Sequence, residues 1–330
     1  MNERDDIFLL RQDRHCGLNL SLTLLQDHFF NRFYNHGYPV ILMNTRPWKF
    51  NEISYLRTNW NRIYFHFIDV NKYFYDESLG ESSLTHKNKT TDSYRYMCSF
   101  FFSGFLKVPL LQEYRYLMRL DDDTCILDHI NFDIFNDMQL RNVYYAFQAM
   151  FCDPNDVVFG LREYIYDYVS TYDITPANPK LIAKITAYSP LCYPSFSTNF
   201  EVIDTWRYRQ ADIAHFLHNI TDSNLIFHRR WGDAPLRMVI AQLFWDPDEV
   251  MRLCEFDYQH SNWERNSVVM CRKRHTHDAV VNFLPIFELR TDSISYIWFE
   301  YMYTIGVRLC ICMFIMLIIY KSCVRRKNND

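Results

Sequence analysis

Tyr116-Leu-Met-Arg-Leu-Asp-Asp-Asp123 is a β-like run of aromatic and apolar residues that ends in three consecutive carboxylates. Two carboxylates at positions i and i+2, placed where a strand ends, can point into a cleft and hold a divalent cation through oxygen ligands. A solvated acidic turn is the plainer reading of the same residues. Upstream, residues 7–10 read as a short buried strand and residues 20–32 as a helix, with Leu20, Leu24, Leu25 and Phe29 near the 3.6-residue period. Residues 38–43, ended by Asn44 and Pro47, and residues 63–70 are further strand candidates. Strand, helix and strand at this spacing predict a βαβ unit and an α/β domain. Downstream, residues 134–140, 203–217 and 234–244 carry helical patterns, and residues 144–151 read as a strand. Pro176, Pro179, Pro190 and Pro194 mark a loop-rich stretch that could cover a site.

The 330 residues are 49% hydrophobic, 22% charged and 18% aromatic, with a formal net charge of −4. That is enough apolar surface for a sizeable core, and it excludes a disordered or low-complexity chain. Near-neutral charge argues against a general nucleic-acid binder, which needs clustered cations to neutralise phosphates. Only 7 residues are glycine and no glycine-rich phosphate cradle occurs, so any phosphate is held another way. The 10 cysteines include no C-x-x-C pair, which argues against zinc ribbons and thioredoxin-type chemistry. They suit buried thiols or a few lumenal disulfides equally.

Residues 301–320 are apolar except for Arg308, and Lys321, Arg325, Arg326 and Lys327 follow. About 20 such residues suffice to cross a bilayer, so a transmembrane helix with a basic tail at 321–330 is expected after a domain at 1–290. The basic flank favours a cytoplasmic C-terminus and a lumenal body in the Golgi or ER. Yet Met1-Asn-Glu-Arg-Asp-Asp reads as no secretory signal. A tail-anchored cytosolic protein and a chain whose natural start lies upstream both remain open. Of the sequons at Asn19, Asn88 and Asn219, the one at Asn88 lies in the most polar surroundings.

Beyond the acidic triplet, four stretches decide the functional reading: Ser93-Tyr-Arg-Tyr-Met-Cys98, Phe102-Ser-Gly-Phe105 with Pro109-Leu-Leu-Gln-Glu-Tyr114, Thr198-Asn-Phe-Glu-Val202, and Arg230-Trp-Gly-Asp-Ala-Pro235. In that order they resemble the fungal-type alpha-1,2-mannosyltransferase family, the glycolipid 2-alpha-mannosyltransferases, over residues 7–260. The resemblance implies a GT-A type α/β fold, a mixed central sheet flanked by helices. It also implies GDP-mannose as donor, Mn2+ as cofactor, a mannosylated glycoprotein or glycolipid as acceptor, and retention of configuration. By that likeness Asp121 and Asp123 stand at the metal motif, with Asp121 where the family has Glu. His260, in Asp257-Tyr-Gln-His260, matches the family's histidine ligand.

Glu201 matches the family's proposed nucleophile, a role a carboxylate can fill by attacking, or by stabilising an oxocarbenium-like state. Its bland reading is a glutamate at a helix N-terminus, complementing the dipole. The exchange Glu201→Gln is expected to abolish transfer without unfolding the chain. Asp233 matches an acceptor-side base or sugar-binding group. Tyr94, Arg119, Asn199 and Trp231 match positions of the nucleotide-sugar pocket, where an arginine can pair with phosphate. The chain departs from the pattern at Arg237, where the family has His, at Arg229, where it has Glu, and across residues 194–197. The departures across residues 194–197 and at Arg229 motivate a rival reading, a membrane-tethered carbohydrate-binding protein without catalysis; a transferase for another nucleotide sugar on the same fold is a third.

Overall fold

A computed structural model describes residues 6–11, 15–33, 37–74, 92–178 and 192–260, all within the unit Met1–Val281. The strands, in chain order, are β1 (Asp6–Arg11), β2 (Pro39–Asn44), β3 (Tyr64–Asp69), β4 (Tyr116–Leu120), β5 (Thr124–Ile126), β6 (Tyr145–Phe147), β7 (Met150–Pro154), β8 (Cys192–Phe196), β9 (Phe200–Asp204), β10 (Val250–Arg252) and β11 (Tyr258–His260). The longer helices are α1 (His15–Leu25), α2 (Phe50–Asn59), α3 (Asp92–Phe102), α4 (Ile134–Arg141), α5 (Leu161–Thr171), α6 (Ala211–Asp222) and α7 (Asp233–Phe244).

Seven strands form one sheet in the order β10-β6-β9-β4-β1-β2-β3. All neighbours pair in parallel except β9, which runs antiparallel to both β4 and β6. Every residue of β2 and of β4 is buried. A strand covered on both faces reads as a continuous apolar run rather than an alternating one. That accounts for Val40-Ile-Leu-Met43 and for the central run Tyr116–Leu120, whose lone charge, Arg119, is the anomaly that marks the site. One core cluster gathers Leu18, Leu22, Val40, Leu42, Met118, Phe135, Val202 and Phe256, joining α1, α4 and the sheet.

The strands of the βαβ opening and the strand before the acidic triplet take the positions read from sequence to within a residue or two. The helix expected at 20–32 begins earlier, at His15, and loosens into a π-type turn at Gln26–Phe30. The strand expected at 144–151 is two strands, β6 and β7, in different sheets. The helix expected at 203–217 starts inside β9. Asp204 accepts from the Trp206 and Arg207 N–H groups at 2.9 and 3.0 Å, ending the strand and capping a short turn, and α6 follows. The loop-rich stretch yields β8, which carries Pro194 and pairs with β7. The predicted span at 301–320 and the tail at 321–330 lie outside the described residues. Among the described residues, no helix is long and apolar enough to cross a membrane.

Candidate active site

The end of β4 leads directly into the acidic turn. The Asp121 N–H donates to the Asn199 carbonyl at 3.2 Å, and the Thr124 N–H donates back to the Asp121 carbonyl at 2.9 Å. This closes a tight turn that sends β5 off to pair with β11. The antiparallel register sets Thr124 opposite His260. His260 Nε2 therefore stands 3.2 Å from Asp123 Oδ1 and 3.6 Å from Asp121 Oδ2. Burial works against a charged imidazole here, but the Asp123 hydrogen bond and the two carboxylate charges outweigh it and raise the His260 pKa.

Helix α1 supports the turn from below. A Cβ on Gly17 would lie 3.1 Å from the Asp122 carbonyl oxygen and 3.4 Å from the Asp123 backbone. Glycine is what lets the helix come this close.

Arg119 is the hub of the site. Its Nε donates to Asp121 Oδ1 at 3.0 Å and its Nη1 to Asp233 Oδ2 at 2.6 Å, while Glu201 Oε1 lies 3.8 Å from Nη1. Its guanidinium also lies over the Phe101 ring at 3.7 Å. Desolvation opposes the charge, yet the carboxylates of Asp121, Asp233 and Glu201 hold the guanidinium protonated, with its pKa raised. Asp233 opens α7, where the helix dipole favours an anion. Its burial is outweighed by the charges of Arg119 and Arg237 and by the hydrogen bonds from Arg119 and Thr198, so its pKa is lowered.

Glu201 sits mid-strand on β9, opposite Arg119 and Phe147 in register, and not at a helix N-terminus. It is fully buried. Oε2 accepts from Tyr145 Oη at 2.9 Å and from Arg237 Nε at 3.0 Å, while Oε1 accepts from Arg237 Nη2 at 3.2 Å. Arg237, also fully buried, donates further to the Tyr208 hydroxyl at 2.7 Å and the Phe101 carbonyl at 2.8 Å. Desolvation is the largest influence on Glu201 and leaves its pKa raised, against the pull of both arginines.

Of the remaining candidates, Asn199 Oδ1 accepts from Tyr258 Oη at 2.8 Å and Ser197 Oγ at 2.9 Å, tying β11 to the acidic turn. Tyr94 is 39% exposed, with Arg230 over its ring at 5.8 Å. Trp231 is buried, its indole N–H donating to the Phe159 carbonyl at 2.9 Å, so it shapes the wall rather than offering a free donor. Three contributors escape sequence reasoning: Gly17, Tyr145 and the Ser195–Asp153 pair. In that pair the Ser195 hydroxyl donates to a buried carboxylate whose pKa is pushed up to about 6, chiefly by burial.

The donor set of Asp121, Asp123 and His260 suits a divalent cation. Adjacent donors about 2.1 Å from one octahedral ion lie about 3 Å apart, close to the separations seen here. Among the described residues, no three His, Cys, Asp or Glu groups form a ready-made cage. These three meet as a cluster of ion pairs, with Arg119 on Asp121 and His260 on Asp123.

The mixed α/β sheet with an acidic turn at the end of its central strand is the fold of solved glycosyltransferases. The solved mannosyltransferase Ktr4p of S. cerevisiae superposes with a TM-score of 0.68 at 21% identity, covering 82% of this chain and 72% of that one. Core-mannan synthase A of Aspergillus fumigatus, in its Mn/GDP form, superposes with a TM-score of 0.64 at 18% identity, covering 78% and 74%. The family model described as glycolipid 2-alpha-mannosyltransferase matches residues 7–280. The chain belongs to that family. Among curated relatives, probable mannosyltransferase KTR4 of Saccharomyces cerevisiae is 25% identical over 76% of this chain and 55% of its own length. O-glycoside alpha-1,2-mannosyltransferase homolog 2 of Schizosaccharomyces pombe is 25% identical over 70% and 66%. The chain thus spans between half and two thirds of these relatives.

Proposed function

We propose that this chain transfers mannose from GDP-mannose to a mannosylated glycoprotein or glycolipid, on a GT-A type fold, with retention of configuration and an alpha-1,2 linkage. The observation that carries the reading is the meeting of Asp121, Asp123 and His260 at the end of β4, at 3.2 and 3.6 Å, in a chain of this family. Asp121, Asp123 and His260 would hold Mn2+, as the Mn/GDP form of core-mannan synthase A suggests. When bound, the ion supplies Lewis-acid neutralisation of a nucleoside diphosphate leaving group.

The chain's own groups divide the remaining work. Arg119 fixes Asp121 toward the cation and Asp233 toward the acceptor side. Asp233, held ionised, is a weak proton acceptor and is better suited to binding sugar hydroxyls than to general-base work. Tyr94 is partly exposed, and its hydroxyl, hydrogen-bonded to Cys98 and beside Asp233, would serve the sugar-binding side together with that carboxylate. Glu201 has both oxygens engaged by Arg237 and Tyr145 and lies behind Arg119, so its part is to hold the two guanidinium groups in place.

The test is GDP release from GDP-mannose with methyl α-mannoside as acceptor. Acceptor-dependent release that needs Mn2+ and falls at least ~100-fold in Asp123→Asn supports the reading. The clamped state of Glu201 favours a second one, a carbohydrate-binding protein on the same fold. Binding of GDP-mannose without any GDP release would establish it. Attachment to a Golgi or ER membrane through residues 301–320, with a lumenal body, is part of the same proposal and is supported by the apolar run and its basic flank. A glycosidase-sensitive shift at Asn88 in cells would bear it out, and cytosolic modification of the body would refute it.

A further inference from the structure

Helix α7 begins without an ordinary cap. Its N-cap residue, Gly232, has no side chain to receive the first free N–H groups, and Pro235 brings no N–H of its own. The Asp233 N–H goes instead to a sulfur on another helix, that of Cys98 in α3. Cys98 is 1% exposed and its thiol is free. It stands one helical turn beyond Tyr94, on the same face, and the two side chains are hydrogen-bonded. Tyr94 Oη in turn stands at the start of α7, where a Cβ on Gly232 would lie 4.0 Å from it.

Which group donates at each link follows from where the hydrogens are. A backbone N–H can only donate, so Cys98 Sγ is the acceptor toward Asp233. Burial, and then the charge of Asp233, push the thiol pKa up, so the sulfur keeps its own hydrogen. Sulfur is a weak acceptor and already receives the Asp233 N–H, whereas the phenolic oxygen is the better acceptor of the two. The S–H therefore goes to Tyr94 Oη, and the phenolic O–H is left to face away from Cys98.

We propose that Cys98 is a positioning residue for sugar binding: its sulfur accepts the Asp233 N–H, and its own hydrogen, spent on Tyr94 Oη, turns the tyrosine O–H outward to donate to a sugar hydroxyl. The proposal rests on the reading of Tyr94 and Asp233 as the sugar-binding side. Tyr94 as donor beside the Asp233 carboxylate as acceptor gives two adjacent hydroxyls of a pyranose complementary partners. The thiol sets that order without touching the sugar.

Infrared spectroscopy of the full chain reads the thiol directly. The S–H band of Cys98, assigned by its loss in Cys98→Val, should move to higher frequency in Tyr94→Phe, where the oxygen it donates to is gone. A band that stays in place overturns the proposal. The effect on sugar is read by saturation-transfer NMR, titrating the chain loaded with Mn2+ and GDP with methyl α-mannoside. Cys98→Val, which fills the space without the polarity, should weaken mannoside binding at least ~3-fold, the worth of about one neutral hydrogen bond, with Mn2+ affinity within twofold of wild type. In a Tyr94→Phe background the same exchange should change mannoside affinity less than ~1.5-fold, because the hydroxyl through which Cys98 acts is missing. Equal losses in the two backgrounds mark a packing effect and overturn the proposal. A wild-type chain that binds no methyl α-mannoside overturns the functional reading and, with it, the role given to Tyr94. The infrared shift needs no sugar and tells that failure from a failure of the Cys98 link.

Discussion

Arg237 and Glu201 form a charge pair sealed from solvent on both sides, 3.0 Å apart. Removing one member of such a pair strands the other, whereas removing both is far milder. Arg237→Leu should therefore cost about 3–5 kcal/mol in urea denaturation, and the double variant Arg237→Leu, Glu201→Leu should recover part of that loss. Equal destabilisation by single and double variants would remove the pair as the cause. The same geometry revises the expectation that Glu201→Gln leaves the fold intact. A neutral amide cannot balance Arg237, so lost activity in that variant will be accompanied by lost stability. Asp153 gives a second test at this scale. Its folded pKa of about 6 lies above the ordinary 3.8, chiefly through burial. Between those values the folded chain holds more protons than the unfolded one, so its contribution to stability falls as pH rises through about 4 to 6 and is flat above. The stability of wild type relative to Asp153→Asn should drop by about 2 kcal/mol from pH 4 to pH 7.5. A pH-independent difference would show that burial does not govern this carboxylate.

At the scale of elements, the acidic turn is legible because a fully buried central strand and a run of carboxylates leave unmistakable local patterns. Glu201 is not. Phe-Glu-Val-Ile-Asp204 is followed by Thr-Trp-Arg-Tyr208, and the helical period of the later residues spills backward over a short strand that Asp204 ends. His260 was placed by likeness to the family, since no local pattern announces the β5–β11 pairing that delivers it. Gly17 has no sequence signal at all, because its role is the space it leaves for Asp122 and Asp123. That role opposes its helix propensity. In α1, alanine should gain about 1 kcal/mol over glycine from propensity alone. The close approach to backbone predicts instead no gain in thermal stability for Gly17→Ala and a several-fold weaker affinity for Mn2+. A variant that is more stable and binds the ion as well as wild type would show that the helix does not press on the turn.

At the scale of the whole molecule, the sheet order separates two tasks. Parallel strands β1 to β4 carry the metal-facing turn at their C-terminal edge, and the reversed strand β9 feeds Glu201 and Asn199 toward it from the other direction. The charge network centred on Arg119 joins Asp121, Glu201 and Asp233 from β4, β9 and α7 into one unit. The most direct test of this account is the Mn2+ affinity of the chain followed by electron paramagnetic resonance, for wild type and His260→Ala, with GDP present. The account predicts saturable binding in wild type, weakened at least ~10-fold in the variant while the fold stays intact. Equal Mn2+ binding by the two proteins would contradict it.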